Sequence, residues 1–172
     1  MIVKSFYQSP VGTIILTSDG EFLTGLWFTT SRFPELRLVN QEQINDDLPV
    51  FKITKHWLDP YFAGEQPDPK TVPLKLVGND FSQSVWQILA TIPYGQTTTY
   101  GEIAKIIAAQ RGSGAKMSAQ AVGHAVGYNP ISIIIPCHRV IGANGNLTGY
   151  GGGLDVKIAL LKHEKVALSK KY

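Results

Sequence analysis

Ile131-Ser132-Ile133-Ile134-Ile135-Pro136-Cys137-His138-Arg139-Val140 is the stretch on which the reading of this chain turns. An apolar run, Ile131 to Ile135, leads into the only cysteine among 172 residues, and a Gly/Asn turn follows from Ile141 to Asn146. The run reads as a buried strand that meets a loop at the thiol, the kind of junction where scaffolds carry chemistry. A free thiol with a pKa of about 8.5 is only a few per cent thiolate at neutral pH, so a reactive cysteine needs help from its neighbours. The competing reading is a small buried hydrophobe, the commonest fate of free cysteine.

The length suits one large domain or two small ones, and the apolar fraction of 44% is ordinary for a globular core. No apolar stretch is long enough to span a bilayer, and Met1 to Tyr7 reads as a strand rather than a signal peptide. One cysteine excludes an intrachain disulfide and a cysteine-rich zinc site, and a reducing, cytoplasmic compartment is expected. The net charge of +3 is unevenly spread. Residues 1–80 hold 7 Lys/Arg against 10 Asp/Glu, whereas residues 81–172 hold 9 against 3. A basic second half points to a polyanionic partner, although Lys162, Lys165, Lys170 and Lys171 supply much of the excess and would also suit a solvated tail.

Three β-rich segments open the chain, Ile2–Gln8, Gly12–Thr17 and Phe22–Phe28, divided by Ser9-Pro10 and Asp19-Gly20. They predict an antiparallel meander. Glu35–Asp47 is ambiguous. Val50–Phe62 has helical spacing at Val50, Ile53, Trp57, Leu58 and Phe62, with Pro60 in conflict with an uninterrupted helix. Gly64–Val72 reads as an extended connector and Leu74–Val77 as one more strand. From Asp80 the pattern changes. Asp80 is the expected N-cap of a helix carrying Phe81, Val85, Trp86 and Leu89 on one face. Thr99-x-x-Glu102 is a capping box that opens a second helix through Ile103, Ile106 and Ile107. Ser118 caps a third, short helix, Ala119 to Val126, rich in small residues. This order predicts a helix-turn-helix-like unit, whose small-faced helix approaches either a DNA groove or another helix.

Val85-Trp86, Ile92-Pro93-Tyr94-Gly95, Thr99-Tyr100-Gly101-Glu102-Ile103-Ala104, Ala121-Val122-Gly123, Asn129-Pro130, Pro136–Val140 and Gly149-Tyr150-Gly151-Gly152-Gly153 form an ordered set. From about Phe81 to Glu164 the chain resembles the O6-alkylguanine-DNA alkyltransferases, also called methylated-DNA–protein-cysteine methyltransferases. The first 80 residues resemble them only loosely. The resemblance implies an α/β (α+β) fold, with a small N-terminal β-rich, ribonuclease H-like domain (1–79). A C-terminal alkyltransferase domain (80–172) carries a helix-turn-helix or winged-helix-like unit.

It further implies a monomeric, single-turnover DNA repair protein that needs no cofactor and no metal. Its partner is double-stranded DNA bound through the minor groove, with the damaged nucleotide flipped out. The alkyl group of O6-alkylguanine, with O4-alkylthymine as a further candidate, passes irreversibly to Cys137. A water links the cysteine to His138, and Glu164 orients the histidine and stabilises its protonated form. Tyr100 donates a hydrogen bond to the flipped base and crowds a phosphate. Asn129, Val140, Tyr150, Gly151 and Gly152 shape the base pocket. Gln120, Ala121, Gly123, Val126, Arg139 and Ser82 are the expected DNA contacts.

Two departures stand out. The family usually has arginine at the position of Gln120, where it fills the gap left by the flipped base; glutamine is shorter and uncharged. Ser132 replaces a proline that narrows the pocket in some relatives. The zinc site of some members uses N-terminal cysteines, which residues 1–136 lack. His56, His124 and His163 read as surface or packing residues. Two rival functions share the DNA-binding expectation: a lesion-binding protein without enzymatic activity, and a regulator that senses alkylation at Cys137.

Overall fold

The computed structural model describes residues 2–30, 43–112, 114–147, 150 and 153–168. β1 (Val3–Ser9), β2 (Gly12–Ser18) and β3 (Leu23–Phe28) form the expected antiparallel meander. The turn between β2 and β3 is held by Asp19, whose Oδ1 accepts from the backbone N–H groups of Glu21 and Phe22. A two-residue strand, β4 (Gln43–Ile44), runs parallel to β1, giving the order β3-β2-β1-β4. Residues 35–42 of the ambiguous segment lie outside the described residues.

α1 (Pro49–Phe62) packs on this sheet through Val50, Phe51, Thr54, Trp57, Leu58 and Tyr61. The buried stripe is rotated from the expected one: Ile53 is exposed, and Tyr61 rather than Phe62 is fully buried. Pro60 sits in the last turn, where its missing N–H removes one hydrogen bond and the helix continues for only two more residues. Residues 64–72 are not extended throughout, because Asp68 caps a 3₁₀ turn at Pro69–Thr71. The strand expected at Leu74–Val77 is reduced to one bridge between Leu23 and Leu74. Pro73 can accept from Leu23 N but has no N–H to extend the ladder.

In the second half, α2 (Asp80–Leu89), α3 (Tyr100–Arg111) and α4 (Ala119–Gly127) pack as a three-helix unit. The cap of α2 is Asn79, not Asp80: Asn79 Oδ1 accepts from Ser82 N at 2.8 Å. Asp80 becomes the first helical residue, where its charge suits the positive helix end. Thr99 and Ser118 cap α3 and α4 as expected, accepting from Glu102 N and Ala121 N. Trp86 lies across this unit, and its Nε1–H donates to the carbonyl of Ala125 at 2.9 Å. That bond fixes α4 against α2, and burial of Trp86 itself contributes about 2–3 kcal/mol.

The apolar run before the cysteine is not a strand. Residues 132–134 turn, and Ile131 makes one bridge to Leu26 on the β3 edge. Ile131, Ser132, Ile133, Ile134 and Ile135 are nonetheless all buried, because they lie between β3 and the helical half. Ile133 has φ of 68°, a strained conformation for a β-branched residue. Cys137–Arg139 then form one 3₁₀ turn, followed by β6 (Val140–Ile141). β6 pairs in parallel with β5 (Thr98–Thr99), so the segment after Cys137 is tied to the start of α3. α5 (Leu154–His163) closes the fold and packs on the 3₁₀ turn. No helix among the described residues is long and apolar enough to cross a membrane.

Candidate active site and DNA-facing surface

The loop that presents Cys137 is built around Asn129. Its buried amide donates to the carbonyls of Ile131 (3.1 Å) and Ile135 (2.7 Å), and its Oδ1 accepts from Ile131 N. This satisfies backbone groups that a turning, buried segment would otherwise leave unpaired. Cys137 follows with 6% of its surface exposed. Burial pushes its thiol pKa up, opposed by the neighbouring Asn129 amide and Tyr150 hydroxyl, the charge of Lys157 and the Ser132 hydroxyl. The resting group is therefore a thiol, and these neighbours are the ones that favour its anion.

His138 is buried and points to Glu164: its Nε2 lies 2.6 Å from Oε2. An ionised carboxylate can only accept, so Nε2 carries the hydrogen and Nδ1 presents its lone pair. Nδ1 is buried without a hydrogen-bond partner. It is the ring atom able to take a proton. Burial lowers the His138 pKa, partly offset by Glu164, so the ring rests neutral.

Glu164 lies just past α5 and is 2% exposed. Burial alone would raise its pKa. The hydrogen bond from His138 and the charge that ring carries once protonated, followed by hydrogen bonds from Arg139 and Tyr61, outweigh burial and hold it well below the usual carboxylate range. Arg139 reaches Oε1 through Nε at 2.8 Å and Oε2 through Nη2 at 3.1 Å, while Nη1 donates to the carbonyl of Ile92. Gly95 N donates to Oε1 at 3.1 Å. Gly95 has φ of 79°, and a Cβ there would lie 3.3 Å from the Glu164 carbonyl, so a side chain at this position would strain the contact.

Tyr100 begins α3, half-buried, with its ring beside Gly123 of α4: a Cβ on that glycine would stand 3.7 Å from Cδ1. The β5–β6 pairing brings this tyrosine and the cysteine turn to one end of the helical half. Val140 is fully buried, and its carbonyl accepts from Lys157 Nζ at 2.6 Å. Tyr150 Oη is buried without a hydrogen-bond partner, near Cys137 and Ser132. Gly151 and Gly152 lie outside the described residues.

On α4, Gln120 is exposed, while Ala121 and Gly123 are half-buried. Ser82 and Ala121 share an open concavity of about 600 Å³ with His124 and Tyr128. Two expected DNA contacts are corrected. Val126 is 5% exposed because it belongs to the core that packs α4 on α2 and α3. Arg139 is buried with its guanidinium on Glu164 and Ile92, so it is engaged inside the protein rather than offered to a phosphate. His163 packs on Tyr61 and Phe62, as its packing reading implied, and His56 and His124 are exposed.

Two site residues escaped the sequence reading. Lys157 is fully buried, and burial pushes its pKa down to about 8. Its signal was available: a lysine on the α5 stripe formed with Val156, Leu160, Leu161 and Glu164. Tyr61, whose Oη lies 2.6 Å from Glu164 Oε2, gave no comparable signal, being 103 residues away in sequence.

The sequence matches the family described as 6-O-methylguanine DNA methyltransferase, DNA binding domain, over residues 80–166. Residues 2–76 match the ribonuclease-like domain of the same description. The chain belongs to the methylated-DNA–protein-cysteine methyltransferase family. The member from Haemophilus influenzae is 43% identical over 163 residues, covering 94% of this chain and 86% of that protein. The member from Methanosarcina acetivorans is 44% identical and covers 93% of this chain and 96% of that protein. The crystal structure of the Mycobacterium tuberculosis O6-methylguanine methyltransferase is similar with a TM-score of 0.81 at 45% identity, covering 96% and 93% of the two chains. A structure of the M. tuberculosis protein in complex with DNA has a TM-score of 0.79 at 44% identity, covering 95% and 92%.

Proposed function

We propose that this protein repairs O6-alkylguanine in DNA by moving the alkyl group irreversibly onto Cys137, once per molecule. The observation that carries this reading is the buried thiol beside a His138–Glu164 pair whose only unpaired ring nitrogen is Nδ1. In the transfer, the sulfur–carbon bond forms as the carbon–O6 bond breaks, and the bonding pair leaves with guanine. The thiol proton passes to Nδ1 through the water that the family resemblance implies, and Glu164 stabilises the imidazolium. Lys157 places positive charge near the developing thiolate. Tyr100 is assigned the proton-donating contact to the departing base. The thioether product has no leaving group activated for hydrolysis, so turnover stops.

The DNA-facing surface is assigned to α4, with Gln120, Ala121 and Gly123 toward the minor groove and Ser82 beside them. Small residues at a helix surface allow close approach to a shallow groove without reading sequence, which suits a protein that acts wherever damage occurs. Base flipping follows from the burial of Cys137, since a thiol this enclosed cannot reach a stacked base. Residues 1–79 and 80–172 are taken as the two domains, working as a monomer in a reducing compartment. Incubation with a duplex carrying one labelled O6-methylguanine tests the reading. One label bound per protein supports transfer; tight, lesion-selective binding with no label on the protein would place it with the non-enzymatic lesion binders.

A further inference from the structure

We propose that Tyr61, from the first half of the chain, is a positioning residue for the transfer: its hydroxyl holds Glu164 Oε2 and thereby sets how strongly His138 attracts a proton. The assignment rests on the alkyl transfer proposed above. Tyr61 is 1% exposed on α1, and its Oη donates to Oε2 at 2.6 Å. The same oxygen receives His138 Nε2–H at 2.6 Å. With Arg139 Nη2 at 3.1 Å, three donors share this oxygen, and the two shortest bonds come from the phenol and from the ring that must accept the thiol proton.

The other groups around the carboxylate make the effect of Tyr61 one of charge rather than of placement. Arg139 from the 3₁₀ turn grips both oxygens, and Gly95 N from the turn before β5 holds Oε1. Glu164 therefore keeps its position without the phenol. Tyr94 also faces the carboxylate, and Lys157 and Arg139 place positive charge near His138. His163 of α5 is turned away, with its Nε2 on the Tyr61 carbonyl at 2.7 Å. The Tyr61 ring is itself clamped, stacked on Trp57 at 5.5 Å and edge-on to Tyr94. Burial, then the charge of Glu164, keeps the phenol protonated far above its ordinary range, so it donates at every working pH. A donor to a carboxylate spreads its charge, which weakens its pull on the imidazole N–H and lowers the basicity of Nδ1.

The test is the pH dependence of methyl transfer under single-turnover conditions from about pH 5 to pH 9, the range in which histidine titrates. Removing the hydroxyl in Tyr61→Phe makes His138 more basic, so the acid limb of the rate profile is expected to move up by roughly half a unit. Site-specific 3-fluorotyrosine at position 61, a stronger donor of nearly the same shape, is expected to move the limb down. Should Tyr61→Phe melt below the assay temperature, the fluorotyrosine protein decides alone. A limb that stays at the wild-type pH, whether or not the rate falls uniformly, overturns the assignment and leaves Tyr61 a packing residue. A wild-type protein that transfers no methyl would instead overturn the proposed reaction, so the two failures are distinct.

Discussion

His138 Nε2 and Glu164 Oε2 stand 2.6 Å apart, with neither side chain open to solvent. The carboxylate fixes the ring tautomer, and Arg139 balances the carboxylate charge with a two-point grip. Glu164→Gln keeps the shape but leaves the Arg139 guanidinium buried without its counter-ion. Breaking a buried pair in this way is expected to destabilise the fold by about 3–5 kcal/mol. The rate of methyl transfer should fall by roughly 10²-fold or more, because the amide no longer stabilises the imidazolium. Urea unfolding and single-turnover kinetics check the two effects separately, and a variant with native stability and rate would remove Glu164 from the site.

Stability should decline toward acid in two stages. The folded-state pKa of His138 is lowered, so the unfolded chain binds its proton first, and stability falls as pH drops below about 6.5. The folded-state pKa of Glu164 is also lowered, so its contribution is complete above about pH 4.3 and is lost as pH falls further. Both slopes have the same sign. Urea midpoints measured across this range test it; a midpoint that rises on acidification from pH 7 to pH 5 would contradict the assigned neutral His138.

Much of the fold could be read from local signals. The three strands alternate between turn signals, and Thr99 and Ser118 announce their helices through capping chemistry. The apolar run Ile131–Ile135 misled because burial between two halves of a chain produces the same composition as a buried strand. The α1 stripe was misplaced because the choice between Ile53 and Thr54, or Phe62 and Tyr61, depends on which face meets the sheet. That choice hid Tyr61. Cys137, His138 and Glu164 were legible through their resemblance to a family, whereas the burial of Arg139 and Val126 was not. An arginine beside a candidate catalytic histidine carries no local mark of whether it turns to a phosphate or to a carboxylate 25 residues on.

Gln120 is the exposed residue at the start of α4, at the position for which the family resemblance implies an arginine. Gln120→Arg adds one charge to the surface proposed to face DNA. Duplex affinity should rise, and the slope of log affinity against log salt should steepen by up to about 0.9. Fluorescence anisotropy at several salt concentrations measures both. Unchanged isotherms would take position 120 off the interface.

Alkylation should loosen the protein. Cys137 is buried against the Asn129-braced loop, so an added methyl group is expected to overpack its surroundings and to destabilise by about 1–3 kcal/mol. For a chain of this size that corresponds to a melting temperature lower by several degrees, about 2–4 °C per kcal/mol. Calorimetry of the protein before and after stoichiometric reaction gives the answer, and equal or higher melting after reaction would show that the pocket accommodates the product.

The most direct test of the central claim is intact-protein mass spectrometry after mixing with a duplex that contains one O6-methylguanine. The expected result is a single added methyl group, mapped to Cys137 and absent from Cys137→Ser. An unchanged mass in protein that binds the same duplex selectively would contradict alkyl transfer and leave a lesion-binding protein in its place.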